Sequence, residues 1–195
     1  MIRIIIFFAL ISLCACGPKV DQHEVSVAQF AAFVEATGYV TDAELYGWSF
    51  RMRDVYSWDV VSGADWKRPD GINQAGPEMP VTQVSWVDAC AFCAWKGKRL
   101  PTRDEWRKAA DWKNTDKANI WDNRLEHRLD PAAETPSMIG NAYEWVADEK
   151  GIDAFVYGGG HLCSRHTCAG FRPGWGKWIS KDSGTDGLGF RCAKK

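Results

Sequence analysis

Apolar positions recur at helical spacing in three places along the chain. Each is opened by a hydroxyl residue with Gln, Asp or Glu three positions on. Ser26 and Gln29 precede a stripe of Phe30, Phe33 and Val34, and Gly38 supplies a stop. Ser85 and Asp88 open a second helix with the stripe Trp86, Cys90 and Cys93, ended by Gly97. Thr102 and Glu105 open a third, carrying Trp106, Ala109 and Ala110. In each, the Ser or Thr oxygen accepts from amide N–H groups that a helix start leaves unpaired. Strand signals are shorter. VTQVSW (Val81 to Trp86) alternates, and AFVYGGG (Ala154 to Gly160) and GLGFRC (Gly187 to Cys192) read as strands flanked by glycine. The stretches 51–80 and 112–137 show no regular period and read as long ordered loops. The pattern predicts one α+β domain rich in irregular structure.

Composition sharpens that picture. Of 195 residues 46% are hydrophobic and 11 are Trp, enough for a core pinned by aromatic clusters. A formal net charge of -1 gives no electrostatic footprint for nucleic acid. The N-terminus differs from the rest. Arg3 precedes an apolar run from Ile4 to Leu13, too short for a mature span and right for an export signal. Leu13-Cys14-Ala15-Cys16 resembles a bacterial lipobox, with Cys16 as the lipidated residue. A plain signal peptide is the alternative. The expected organisation is a lipoprotein signal over 1–16, a short linker over 17–23 and a domain over 24–195. Gly17 and Pro18 after the cysteine point to the outer membrane or cell surface rather than inner-membrane retention.

Export changes how the cysteines read. Of seven, Cys14 leaves with the signal and Cys16 carries lipid, so Cys90, Cys93, Cys163, Cys168 and Cys192 remain. An oxidising compartment permits disulfides, and an odd number leaves one thiol over. Cys90 and Cys93 form a C-x-x-C, but inside a helix rather than at its start, so Cys90 reads as a buried helix-face thiol. Cys163 and Cys168, in GGGHLCSRHTCAGFR, leave three readings open: a staple, a metal clip or a reactive pair. Two soft thiolates suit Cu(I), and Arg165 and His166 are the nearby candidates for lowering a thiol pKa. The spacing of His23, His127, His161 and His166 suggests no zinc site.

Five segments then carry a family resemblance. PVTQVSWVDACAFCAWKGKRLPTRDEWRKAA (Pro80 to Ala110), GNAYEW (Gly140 to Trp145) and the terminal GLGFRC resemble the formylglycine-generating enzyme, or sulfatase-modifying factor, family. EATGYVTDAELYGWSF and SGADWKRPDG do so as well, and the resemblance runs from about Glu24 to Cys192. It implies the family's variant of the C-type lectin fold. It also implies a copper-dependent oxidase that uses oxygen to convert a cysteine of an exported polypeptide, such as a sulfatase bearing Cys-x-Pro-x-Arg, to formylglycine. By the match, Cys163 and Cys168 are the Cu(I) ligands, and Arg165 between them is a catalytic-site residue. Cys93 and Cys192 match a structural disulfide. Glu144 and the carbonyls of Gly140 and Ala142 match a calcium site, with Ser137 where the family has Asn. Asn119 and Ile120 match the start of a second calcium site, whose loop is shortened here. Arg99 and Arg172 match basic positions near the cleft. Trp175 and Trp178 are candidates to line it, and Arg191 is expected to pair in the core.

Departures from the family pattern matter too. Gly160 stands where the enzymes carry Ser, Tyr143 where they often carry Trp, and the family's first strands have no counterpart before Glu24. Two other classes therefore stay in view: a surface lipoprotein that uses the lectin-like scaffold only for binding, and an accessory protein that binds Cu(I) without turnover.

Overall fold

The computed structural model describes residues 19–113, 115–134 and 138–195. The expected signal segment and lipid anchor at Cys16, and the expected calcium ligand Ser137, lie outside the described residues. All three predicted helices form, each closed at its N-terminus by the reciprocal hydrogen bonds that the sequence pattern predicts. They are α1 (Val27–Thr37), α3 (Trp86–Trp95) and α4 (Arg103–Ala109). A short α2 (Asp42–Tyr46) was not foreseen, although Thr41 and Glu44 cap it in the same way. The buried face of α3 is Ala89, Phe92 and Cys93, so its stripe is rotated from the expected Trp86–Cys90–Cys93. Phe30, Phe33, Phe92 and Phe190 meet there at ring separations of 5.4 to 6.4 Å.

The strands form two sheets. β1 (Trp48–Asp54) and β2 (Ser57–Ser62) make an antiparallel hairpin. β3 (Tyr143–Lys150), β4 (Asp153–Tyr157), β5 (Lys177–Ser180) and β6 (Leu188–Phe190) form a sheet of order β5-β4-β3-β6, with β6 parallel to β3. The hairpin lies in the region read as loop. Its strands keep few side chains buried and carry Arg51, Arg53, Asp54 and Asp59, which dilute the alternation. Conversely, Val81 to Trp86 is no strand. Residues 81–85 are all buried, and Gln83 takes a positive φ of 59° that breaks the extended run. Its backbone pairs irregularly, Val81 N–H with Val25 O and Gln83 N–H with Thr185 O. The stretch 112–137 holds only short 3-10 turns in its described part, as its missing period predicts.

Two ties close the domain. Cys93–Cys192 joins α3 to the segment after β6 across a separation of 99 residues. Closing a loop of that length stabilises the fold by about 4.7 kcal/mol in the chain-entropy account. The expected linker is also part of the domain over 19–23. Val20 is buried and bridges to Ala193, and Asp21 pairs with Lys98 at 2.7 Å. Among the described residues no helix is long and apolar enough to cross a membrane.

Candidate active site

Where β4 ends, Gly158, Gly159 and Gly160 turn the chain into the loop that carries the cysteine pair. Gly159 has a φ of 70°, and a Cβ there would sit 2.9 Å from the Phe171 nitrogen and 3.4 Å from the Cys163 sulfur. Only glycine lets the two ends of the loop close. Between them, Cys163 N–H donates to Gly160 O and Cys168 N–H to Ser164 O. The pair is joined as a disulfide, S–S 2.04 Å. Cys163 is fully buried, and Cys168 lines a hollow open to solvent.

Tyr143, the first residue of β3, brings its hydroxyl to 3.0 Å from both sulfurs. Gly160 N–H points at the Cys163 sulfur from 3.4 Å and Gly170 N–H at the Cys168 sulfur from 3.2 Å. Each sulfur thus has its own amide and shares one phenol. Donors so placed favour thiolates once the bond is reduced. Burial pushes the phenol up to about 12, so it remains a donor at neutral pH. The ring fits because its neighbours are small. A Cβ on Gly160 would lie 3.3 Å from it and one on Gly170 3.1 Å. The Gly160 and Tyr143 departures are therefore complementary.

In front of the sulfurs lie two adjoining hollows of about 260 and 230 Å³ that share Trp58, Tyr143 and Lys177. Phe50, Met52 and Trp178 line one; Tyr56, Cys168 and Trp175 line the other. The β1–β2 hairpin forms one wall, and the Tyr56 hydroxyl donates across to Thr167 O in the cysteine loop. Lys177, on β5, holds its ammonium 4.4 Å from the Tyr143 ring centre and 5.6 Å from that of Trp58. Loss of water there lowers its pKa.

Behind Tyr143 the next residue faces the core. Glu144 accepts from Arg191 Nε and Nη2 at 2.7 Å each, and from Trp106 Nε1 at 2.7 Å. Glu24 lies beside them, buried, accepting from Asn141 Nδ2 at 2.7 Å and Ala142 N–H at 3.3 Å. Burial and the neighbouring Glu144 raise the Glu24 pKa well above the carboxylate range, against the pull of Arg191.

A family model described as the sulfatase-modifying factor enzyme 1-like domain matches residues 17–195. The chain belongs to this family. A formylglycine-generating enzyme of Bos taurus is 30% identical over 89% of this chain, which spans 64% of that relative's length. An inactive C-alpha-formylglycine-generating enzyme 2 of Bos taurus is 30% identical over 89% of this chain and 76% of its own. The solved structure of PvdO from Pseudomonas aeruginosa superposes with a TM-score of 0.65 at 18% identity, covering 90% of this chain and 79% of that one. The α+β fold is thus the sulfatase-modifying-factor variant of the C-type lectin fold.

Cys168 and Trp175 line one half of the cleft and Trp178 the other, with Cys163 bonded to Cys168 and buried behind it. Cys93–Cys192 forms as expected, and Arg191 pairs in the core. Arg165 does not serve the sulfurs as expected: its guanidinium is held toward Asp116 at 3.6 Å and its N–H donates to Asp122 at 2.5 Å. His166 has its N–H on Ser164 Oγ. Arg99 is also misplaced, because both its terminal nitrogens bind Glu105, at 2.6 and 2.7 Å, beside α4. Arg172 is exposed on the loop, its guanidinium over Phe171. Neither arginine lines the hollows.

The donor sets decide which metals fit. Two cysteines five residues apart suit Cu(I) once reduced. Calcium does not fit at Glu144, contrary to expectation. The Arg191 guanidinium and the Trp106 indole take both carboxylate oxygens, leaving the carbonyls of Gly140 and Ala142 without the anionic ligand. Near Ile120, Asn119 Oδ1 is buried without a partner among the described residues, a single oxygen where calcium takes six or more. Among the described residues no group of three metal-ligating side chains occurs. Tyr56, Trp58 and Lys177 were missed because the hairpin was missed and because one lysine at the start of a four-residue strand carries no local signal. Tyr143 was visible only as a departure.

Proposed function

We propose that this protein is a formylglycine-generating-type oxidase of exported polypeptides, held at the cell envelope by a lipid on Cys16. The observation that carries the reading is the cysteine pair at a cleft, each sulfur met by a backbone amide and both by the Tyr143 hydroxyl. The family membership of nearly the whole chain supports it. Reduced Cys163 and Cys168 would hold Cu(I) as soft thiolate ligands, and the chemistry the metal supplies is activation of dioxygen. The chain's own residues do the rest. Tyr143, Gly160 and Gly170 fix the sulfurs, while Trp58, Tyr56 and Trp175 offer apolar faces to a peptide and shed water. In the balanced reaction the substrate carbon yields two electrons and an added thiol reductant two more. Dioxygen takes all four, leaving an aldehyde, hydrogen sulfide, one water and the disulfide of the reductant.

The test is incubation of the protein lacking residues 1–16 with Cu(I), oxygen, reductant and a peptide containing Cys-x-Pro-x-Arg, read by mass spectrometry. Conversion to the aldehyde that vanishes in Cys163→Ser and Cys168→Ser is expected. Conversion that survives either substitution would sink the reading. A second reading rests on the replacement of Trp and Ser by Tyr143 and Gly160, and on the inactive relative. It is a binding module that keeps the pair as a staple, and no turnover with no copper bound would select it. Copper bound without turnover would select an accessory protein.

A further inference from the structure

The two hollows carry a charge pattern that the expected substrate motif does not match. Among the described residues Lys177 is the single charged one that lines either of them. Its ammonium rests on the Tyr143 and Trp58 rings, and it joins no ion pair among the described residues. Acids next to lining residues in the chain are engaged elsewhere, Asp59 with Arg53 at 3.3 Å and Asp182 with the Ser180 hydroxyl at 2.7 Å. Asp54 accepts from Tyr56 N–H at 2.7 Å and from the Ser57 hydroxyl at 2.7 Å, at the turn of the hairpin. Asp186 accepts from Met52 N–H at 2.8 Å. A basic side chain entering this cleft would meet a like charge with no carboxylate to receive it. An acidic one would find a cation already stripped of much of its water.

We propose that the cleft takes a polypeptide segment with an acidic side chain, Asp or Glu, close to the residue it presents to the sulfurs, and that Lys177 recognises that carboxylate. The cavity supplies the rest of the fit: Trp58, Tyr56 and Trp175 contact the apolar part of the segment, and Lys177 marks where its charge must fall. The inference keeps the oxidase chemistry of that reading and adds an acidic side chain to the segment it acts on, where the expected motif supplies only a basic one. It rests on that reading only for the identity of the presented cysteine.

Binding is therefore tested apart from turnover. The probes are twelve-residue peptides with Ser in place of the target cysteine and a single Glu, Gln or Arg walked through the four positions on either side. Affinity is read by calorimetry at low salt on the wild-type protein, Lys177→Gln and Lys177→Glu. The expected result is that at one or more positions Glu binds about tenfold tighter than Arg. The preference should vanish in Lys177→Gln and invert in Lys177→Glu. Equal binding of Glu and Arg peptides at every position, tighter Arg binding, or a Glu preference that persists in a folded Lys177→Gln would overturn the proposal. Failure of the oxidase reading looks different. A Glu preference without oxidation of the matching cysteine peptides removes the oxidase and leaves the inference standing. Efficient oxidation of Arg-bearing peptides without a Glu preference does the reverse.

Discussion

Tyr143 and Glu144 are consecutive residues of β3, and their side chains serve two regions built on opposite rules. On the Glu144 side every charge is met. Arg191 and Trp106 occupy the carboxylate oxygens, and Arg191 also donates to the carbonyls of Asp21 and Gln22. On the Tyr143 side the sulfurs are soft, the walls are aromatic and the one cation has no counter-ion among the described residues. The contrast separates two uses of buried polarity. A saturated ion pair holds elements together, here β3 to the N-terminal segment and the chain's end. A polar group left without a partner in a cleft is a place for something else to bind.

The largest expected effect comes from breaking the saturated side. Arg191→Met leaves Glu144 buried with its charge uncompensated, and should cost about 3–5 kcal/mol in urea unfolding. The double variant Arg191→Met/Glu144→Gln should recover part of that loss, because the two residues act as one unit. If the single variant unfolds within 1 kcal/mol of the wild type, the pair is not the keystone described above.

Glu24 extends the same region into a pH dependence. Its carboxyl is raised from 4.5 to about 8 by burial and by Glu144. The folded state then keeps a proton that the unfolded chain releases. Stability from this group is full below pH ~4.5 and is lost as pH rises toward about 8. Unfolding free energy followed between pH 5 and 8 should fall more steeply in the wild type than in Glu24→Gln, which carries no titrating proton. Identical slopes would show that Glu24 is ionised in the fold.

The functional side should respond differently. Tyr143→Phe removes one hydroxyl from two sulfurs and leaves the ring between Gly160 and Gly170. A hydrogen bond to a charged acceptor contributes about 1.5–3 kcal/mol. The pH midpoint for alkylation of the reduced pair should therefore rise by about one unit, with turnover down about tenfold at pH 7. The fold should barely notice. A Tyr143→Phe variant that loses stability as Arg191→Met does, with no change in thiol reactivity, would place Tyr143 with the structural region instead.

How much of this was legible follows from where each signal resides. The three helices were visible because a cap and its partner are three residues apart, so the chemistry is local. Residues 112–137 were legible as loop for the converse reason. Tyr56, Trp58 and Lys177 were not legible as one site, because the hairpin and β5 meet only in the folded chain. Glu144 shows the limit of a motif. GNAYEW suggested a cation site, and the cation present is the Arg191 guanidinium, 47 residues away. The cysteine pair was located by spacing and family pattern together, but its Tyr143 partner, 20 and 25 residues from the two sulfurs, required the fold.

Cys90 supplies the smallest effect and the sharpest control. It is the free cysteine among the described residues, partly buried on α3, and burial pushes its thiol up to about 12. At pH 7 it stays protonated and slow to react, whereas reduced Cys163 and Cys168 have donors that favour their thiolates. Mild reductant and iodoacetamide on the native protein should therefore label Cys168, the sulfur that lines the hollow, and spare Cys90, as read by peptide mass. Cys90→Ala should leave turnover unchanged and cost about 1 kcal/mol or less, since a small, partly buried side chain is removed. If Cys90 labels as fast as Cys168, the amides and phenol around Cys163 and Cys168 confer no special reactivity. The two faces of β3 would then differ in packing alone.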